Sequence, residues 1–429
     1  MQIGLTSSKK LVAASLIALM VFTLYIPMDS VGGARGRLLI DRVKIGALIP
    51  LTDRNGNVDE FGLQIKAGID LAVKDANRLL KKSFRFWRLK VVYRDTHWDP
   101  EVALEAVEGL AEMGIQFVIG PVSSSVVLGI TEYANANQIL ILSPSSTAPA
   151  SFFDNPDDYI YRFVVPDDHQ GKAIARSMYD DGIKKVVAVY TTAIPGNSEA
   201  IRDATIQRLE ELSGTTIPVE NISYNTDEDS YLEGLAGQIA YAVDNLGDDD
   251  LGVLFIAYQE AWDILNAASG SQILQSVNWY GSSQTALNEK LLDPRVAIFC
   301  IDTGFVNPLW SPSKSFKYDE VHDRLAAILG REPNDYAYTA YDAVWSLTYS
   351  LLTVTRYDSE RVRRVLPEVS ESLWGASGWT VLNEDGDRAF SNYDLWVIDE
   401  MDDEDDPPYY WKRVGTYSYY SDSITWSLN

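Results

Sequence analysis

Two hydroxyl-rich turns dominate residues 120–149, GPVSSSVVLGITEYANANQILILSPSSTAP. They are Ser123-Ser124-Ser125 and Ser143-Pro144-Ser145-Ser146-Thr147, each placed just after a short apolar run. A segment of helical length lies between them. A strand that ends in Ser/Thr and opens a helix leaves free backbone N–H groups and hydroxyls pointing the same way. That is a seat for a carboxylate or another small polar group. Two such seats on neighbouring strands predict a ligand cleft, and the chemistry implied is binding without conversion. The competing reading of Ser124 and Thr147 is ordinary helix capping, worth about 1 kcal/mol each.

Other chemistry is missing from the sequence. It has no GxSxG elbow, Walker loop, GxGxxG turn or HExxH helix. The three histidines, His97, His169 and His322, fall in separate elements, so a histidine-based metal cluster is not expected. His169, in Asp167-Asp168-His169, reads as a helix start, with the aspartates capping and favouring its N-terminus. Cys300, the single cysteine, sits in an apolar run and reads as a buried, inert thiol. One cysteine excludes a disulfide within the chain and a zinc cluster. The acidic runs at 227–229, 248–250 and 402–406 read as solvated loops. The Asn383–Asp387 segment, NEDGD, lacks the ligand-spaced Glu of a calcium loop and reads as a hairpin turn between 379–382 and 393–398. No metal or cofactor is expected, and no enzyme.

These seats need elements to hold them. From residue 43 onward, short apolar runs alternate with amphipathic stretches. Residues 43–50, 89–93 and 116–120 read as strands. Between them, Ile65, Ile69, Ala72 and Ala76, then Ala103, Val107 and Leu110, recur at helical spacing. The alternation restarts after Pro166, with strands at 184–190, 219–224, 252–257 and 279–281 and helices at 197–212 and about 231–245. This pattern predicts an α/β fold with parallel-dominated sheets covered by helices, in two adjacent lobes.

A formal charge of −25 disfavours a nucleic-acid partner, because the phosphate backbone would repel it. Lys9-Lys10, the apolar stretch 11–26 and the small-residue segment 30–34 follow the order of a secretory signal. Residues 1–36 are therefore expected to be either a signal peptide cleaved near Ala34 or a retained N-terminal anchor. Either way, the rest of the chain is expected to be extracytoplasmic.

Six motifs in order carry a family resemblance. They are IGALIPLT…EFG…AGIDLAV (45–73), YRDTHWDPEVA (93–103), the IGPVSSS…ILSPSSTAP block, YRFVVPDDHQGKAIARSMYDDGIKKVVAVY (161–190), AYDAVWSL (340–347) and WTVLNEDGDR (379–388). Together they resemble the type I periplasmic-binding-protein superfamily, in the leucine/isoleucine/valine-binding branch that serves ABC importers. The resemblance implies two Rossmann-like lobes joined by three hinge crossings. Lobe 1 would be 43–164 plus 306–390, and lobe 2 would be 165–305 plus 391–429.

It also implies roles for residues. Ser124 and Thr147 match the positions that hold an amino-acid carboxylate, with Ser145 and Ser146 offering backbone contacts. Phe61 matches an aromatic lining the ligand side chain, and Tyr258 a second-lobe aromatic closing over the ligand. Core packing is the competing reading of both. The position that carries an acid for the ligand ammonium reads Ser283 here, and the family's Tyr-Gly pair reads Pro195-Gly196. Asp302, Glu260 and Asp263 are the candidate replacements for that acid. The expected ligand is thus a branched-chain or other amino acid, or an amide or urea-like compound, delivered to an ABC permease. The alternative is a ligand-sensing receptor module of the same fold.

Overall fold

The computed structural model describes residues 42–427 apart from 154–157, 195, 229 and 402–407. The expectations placed on residues 1–36, Pro195, Asp229 and 402–406 lie outside the described residues. Residues 40–429 form one compact unit.

The first lobe is built on five parallel strands in the order β2-β1-β3-β4-β5. These are β1 (Arg42–Ile49), β2 (Arg88–Asp95), β3 (Phe117–Ile119), β4 (Leu140–Ser143) and β5 (Ile160–Arg162). Three helices connect the first four: α1 (Glu60–Lys82), α2 (Pro100–Glu112) and α3 (Ser124–Ala136). Each opens on a side chain that accepts a hydrogen bond from the first turn, at Asp59, Asp99 and Ser123 respectively. Their apolar faces bury Ile65, Ile69, Ala72, Val107 and Leu110 against the sheet. Gly62 is obligatory, because a Cβ there would lie 1.6 Å from the Pro50 carbonyl oxygen where α1 lands on the end of β1.

A 3-10 turn at Asp167–His169 leads into α4 (Gln170–Asp180) and the second lobe. Its parallel sheet has the order β7-β6-β8-β9. The strands are β6 (Lys185–Thr191), β7 (Val219–Tyr224), β8 (Leu251–Ile256) and β9 (Asn278–Tyr280). The helices are α5 (Asn197–Ser213), α6 (Leu235–Leu246), α7 (Ala261–Ala268), α8 (Gln272–Gln275) and α9 (Pro294–Asp302). Helix α6 starts later than its apolar spacing suggests, because Gly234 adopts a left-handed φ of 75° just before it. Cys300 is buried in α9, and burial pushes its thiol pKa up, as expected of an inert thiol.

The chain then forms β10 (Asn307–Ser311) and returns to the first lobe as α10 (Phe316–Leu329), α11 (Tyr336–Val354) and α12 (Ser359–Glu371). It ends in β11 (Asn392–Glu400), β12 (Tyr409–Ser418) and β13 (Ser423–Trp426), antiparallel in the order β10-β11-β12-β13. Two assignments differ from expectation. Residues 307–311, grouped above with lobe 1, pair with β11, and a bridge from Tyr280 to Val306 continues the second-lobe sheet into them. The 383–387 turn is present but closes on Leu382 and Arg388, while the strand from Tyr393 pairs with β10 and β12.

The crossing segments share one core. Val164, Val165, Trp310, Tyr393 and Tyr417 pack together where the chain passes between lobes. Beside it, Arg162 makes a fully buried bidentate ion pair with Asp387 and donates to the Ser146 and Ala148 carbonyls. One guanidinium thus ties the second hydroxyl turn to the third crossing.

Candidate ligand-binding site

Adjacent pairing of β3 and β4 brings the two hydroxyl turns side by side, and four hydrogen bonds zip them together. Ser143 Oγ donates to the Pro121 carbonyl at 2.6 Å and Ser145 Oγ to the Val122 carbonyl at 2.8 Å. Ser124 Oγ accepts from Ser146 Oγ at 3.0 Å and from the Ala148 N–H at 3.1 Å. A serine hydroxyl has two acceptor lone pairs and one proton. With both lone pairs engaged, the Ser124 proton is left to donate, at the N-terminus of α3. The cap itself is Ser123, whose Oγ accepts from Val126. The capping reading therefore belongs to Ser123 and not to Ser124. Ser146 is fully buried and its hydroxyl is spent on Ser124, so only its backbone could serve a ligand. The turn is also held from α11, where Thr339 Oγ1 donates to the Pro144 carbonyl at 2.7 Å.

Thr147, half-buried, meets the first crossing. Its carbonyl accepts from the Asp167 N–H at 2.6 Å. Burial pushes the Asp167 carboxyl up to about 6, against the pull of hydrogen bonds from Asn197 and Thr147. Asn197, the first residue of α5, donates to Asp167 Oδ2 at 3.1 Å and accepts from the Tyr258 hydroxyl at 2.9 Å. A continuous chain of polar contacts therefore runs from Thr147 in lobe 1 through Asp167 and Asn197 to Tyr258 in lobe 2. The capping role expected of Asp167 does not apply, because its side chain points into this chain and caps no helix. Neither Asp167 nor Asn197 was legible as a site residue. Asp167 looked like a helix-start acid, and nothing local marks Asn197.

Phe61 is half-buried and stands in an aromatic arc. Its ring centroid is 5.6 Å from Trp98 and 5.8 Å from Tyr336, and Tyr336 stacks on Trp310 at 5.6 Å with an 8° tilt. Asp59 fixes the arc, capping α1 and accepting from the Trp98 indole at 2.7 Å. His97 and Trp98 both hold left-handed φ values, 49° and 60°, which bulky residues rarely adopt. Strain of that kind concentrates where a side chain must be aimed. Trp98, Tyr336 and Trp310 were not anticipated, since their contacts join residues far apart in sequence.

The second-lobe acid is absent from the expected place. Ser283 is gripped by Gln170, which accepts from its N–H at 2.7 Å and donates to its hydroxyl at 3.1 Å. The proposed replacements are occupied or remote. Glu260 accepts from the Tyr224 hydroxyl at 2.8 Å and the Tyr258 N–H at 3.2 Å. Asp302 is exposed at the end of α9. Asp263 lines a separate surface pocket of about 810 Å³ with Trp262, Glu289 and Lys290. The carboxylate adjoining the hydroxyl turns is Asp167. No group of metal-binding residues occurs among the described residues.

The family model described as receptor family ligand binding region matches residues 64–401. An uncharacterised protein of Methanocaldococcus jannaschii is 28% identical over 407 residues, covering 90% of this chain and 91% of that protein. Leu/Ile/Val-binding protein homolog 2 of Brucella abortus is 24% identical over 339 residues, 76% of this chain and 82% of its own. The leucine-binding protein LivK of Thermotoga maritima superposes with a TM-score of 0.62 at 19% identity, covering 83% of this chain and 95% of that one. The chain belongs to the receptor family of ligand-binding regions and has the type I periplasmic binding fold.

Proposed function

We propose that the protein is an extracytoplasmic solute-binding protein that closes its two lobes over a small carboxylate-bearing ligand and presents it to an ABC permease. The observation that carries this reading is the zipped pair of hydroxyl turns, which leaves the Ser124 proton and the α3 N-terminus available beside Thr147. Charge-assisted hydrogen bonds of this kind contribute about 1.5–3 kcal/mol each. Phe61, Trp98 and Tyr336 form the apolar wall against which a ligand side chain packs. Tyr258 closes from the second lobe through Asn197. Asp167 takes the part of the acid missing at Ser283, so a branched-chain or other α-amino acid satisfies the site at both charged ends. The lobe limits proposed are 43–164 with the 312–390 return segment, and 165–311 with 391–429.

The test is calorimetric titration with amino acids, amides, urea and simple carboxylates. A micromolar ligand corresponds to about −8 kcal/mol. The reading expects an amino acid to bind and Thr147→Ala to weaken it at least tenfold without loss of fold. Binding of amides alone, unaffected by Thr147→Ala or Ser124→Ala, would sink it.

A further inference from the structure

The first lobe also carries an inversion of the chain's charge. Seven of its 36 lysines and arginines (Arg78, Lys81, Lys82, Arg85, Arg88, Lys90 and Arg94) fall within residues 78–94, a stretch with no Asp or Glu. Of the seven, only Arg78 forms an ion pair among the described residues, 3.9 Å from Asp75. The stretch covers the last turn of α1, the turn after it and β2, with Arg94 at the far, C-terminal end of β2 beside Leu48 and so outside the tip. At its tip Phe84 and Phe86 are the most exposed large apolar side chains among the described residues, at 86% and 89%. Arg88 braces this tip by donating to the Arg85 and Trp87 carbonyls, both at 2.6 Å. The parallel register sets Arg42 beside Arg88 and Lys44 beside Lys90, adding two more cations at the same end of the sheet.

The two bare phenyl rings lie in sequence among Lys81, Lys82, Arg85 and Arg88, none of which forms an ion pair among the described residues, while a small pocket behind them is lined by Arg78 and Lys82 with Asp75 and Glu320. The rings and cations match a soft interface with negative charge above and hydrocarbon below. Aromatic rings settle at the headgroup level of a bilayer, and lysines and arginines are drawn to anionic lipids. We propose that the Phe84–Phe86 tip and its basic surround dock the protein on an anionic lipid bilayer. This tip lies at the strand N-termini, whereas the hydroxyl turns lie at the strand C-termini. Docking therefore leaves the proposed ligand cleft facing away from the lipid. The peptide preceding β1 joins the lobe at this same end. Only 15 residues separate the apolar stretch ending at Ile26 from Arg42, a reach of about 50 Å when fully extended.

Residues 40–429 are a compact unit with their own cores, so docking is testable without the apolar N-terminal stretch. The measurement is co-sedimentation of this unit with phosphatidylcholine vesicles holding about 30% phosphatidylglycerol, against pure phosphatidylcholine. The unit should sediment with the anionic vesicles and be released in about 1 M salt, where the screening length falls to about 3 Å. Phe84→Ser/Phe86→Ser and Lys81→Gln/Lys82→Gln should each weaken the partition about tenfold or more. Thermal unfolding should be unchanged in both variants, because the altered side chains are exposed. The proposal is overturned if wild type stays in solution with either vesicle, or if the variants sediment as wild type does. It is also overturned if the Phe pair proves to drive only a concentration-dependent self-association in sedimentation velocity, which would assign the face to a second copy.

Discussion

The two halves of the proposed site are held in different ways. In the first lobe, Ser124, Ser145 and Ser146 are fixed by bonds between two turns that lie 20 residues or so apart on neighbouring strands, and Arg162 and Thr339 pin the second turn from outside. In the second lobe, Tyr258, Asn197 and Ser283 come from three separate strand or helix ends. There, Ser282 Oγ and Gln284 Oε1 are buried without a hydrogen-bond partner among the described residues. A preorganised half captures ligand at low entropic cost, while a half with unused polar atoms gains most when the lobes close. The difference suggests that affinity is set mainly by lobe 1 and closure mainly by lobe 2.

The most damaging way to break this asymmetry is at Arg162. Its guanidinium supports the second turn and neutralises Asp387, so Arg162→Met leaves a buried carboxylate unpaired. Removing one partner of a buried pair costs about 3–5 kcal/mol. Denaturant unfolding should register a loss of that size. Asp387→Asn/Arg162→Met should recover much of it, because no lone charge remains. A single-variant loss below about 1 kcal/mol would mean that the turn does not depend on the hinge pair.

Next in size is the lobe-1 seat. Ser124→Ala removes the proposed ligand donor and leaves the Ser146 hydroxyl and Ala148 N–H without their acceptor. Ligand affinity is expected to drop by about 1.5–3 kcal/mol, roughly ten- to a hundredfold. Ser125→Ala, one residue along and exposed, serves as the control and should bind normally. Equal losses in calorimetry would point to the helix start as a whole and not to the Ser124 hydroxyl.

Asp167 sits between the halves and sharpens the comparison through pH. Its folded pKa of about 6 lies above the ordinary carboxylate value. Its contribution to stability is therefore fully present only below the ordinary value of 3.8 and is lost as pH rises from there through about 6. In the ligand-free protein, the stability of wild type relative to Asp167→Asn should fall across that window, read as the difference between two melting series. Comparing with the variant is necessary because Asp158 and Asp335 are also raised, each to about 7, by burial. An amine-bearing ligand should remove the fall by supplying the missing cation. If the two series stay parallel with and without ligand, Asp167 is not the ammonium partner.

The asymmetry also explains what could be read from the sequence. Strand and helix placement followed from apolar periodicity. The seat at Ser124 followed from residues adjacent to two strand ends, where local rules determine where N–H groups point. Even there the cap was one residue early, since Ser123 and Ser124 are chemically alike and only geometry separates them. The second half resisted because its contacts are tertiary. Asn197 gains its part by lying between Asp167 and Tyr258, 30 and 61 residues away. The Phe61 arc needed Tyr336 and Trp310 from the far side of the chain. The 307–311 segment looked like part of lobe 1 for the same reason, since its partner β11 comes some 80 residues later.

The smallest expected effect tests the lobe-2 half alone. Tyr258→Phe keeps the ring and removes one hydrogen bond to Asn197, a net loss of about 0.5–1.5 kcal/mol. If lobe 2 governs closure, the loss should appear chiefly as faster ligand release, with association little changed, because capture on lobe 1 precedes the Tyr258 contact. Ser124→Ala should differ in the same stopped-flow experiment, slowing capture as well as speeding release. Should Tyr258→Phe slow association by as much as it speeds release, both lobes would be meeting the ligand at once, and the division of labour between a prebuilt seat and a closing lid would have to be abandoned.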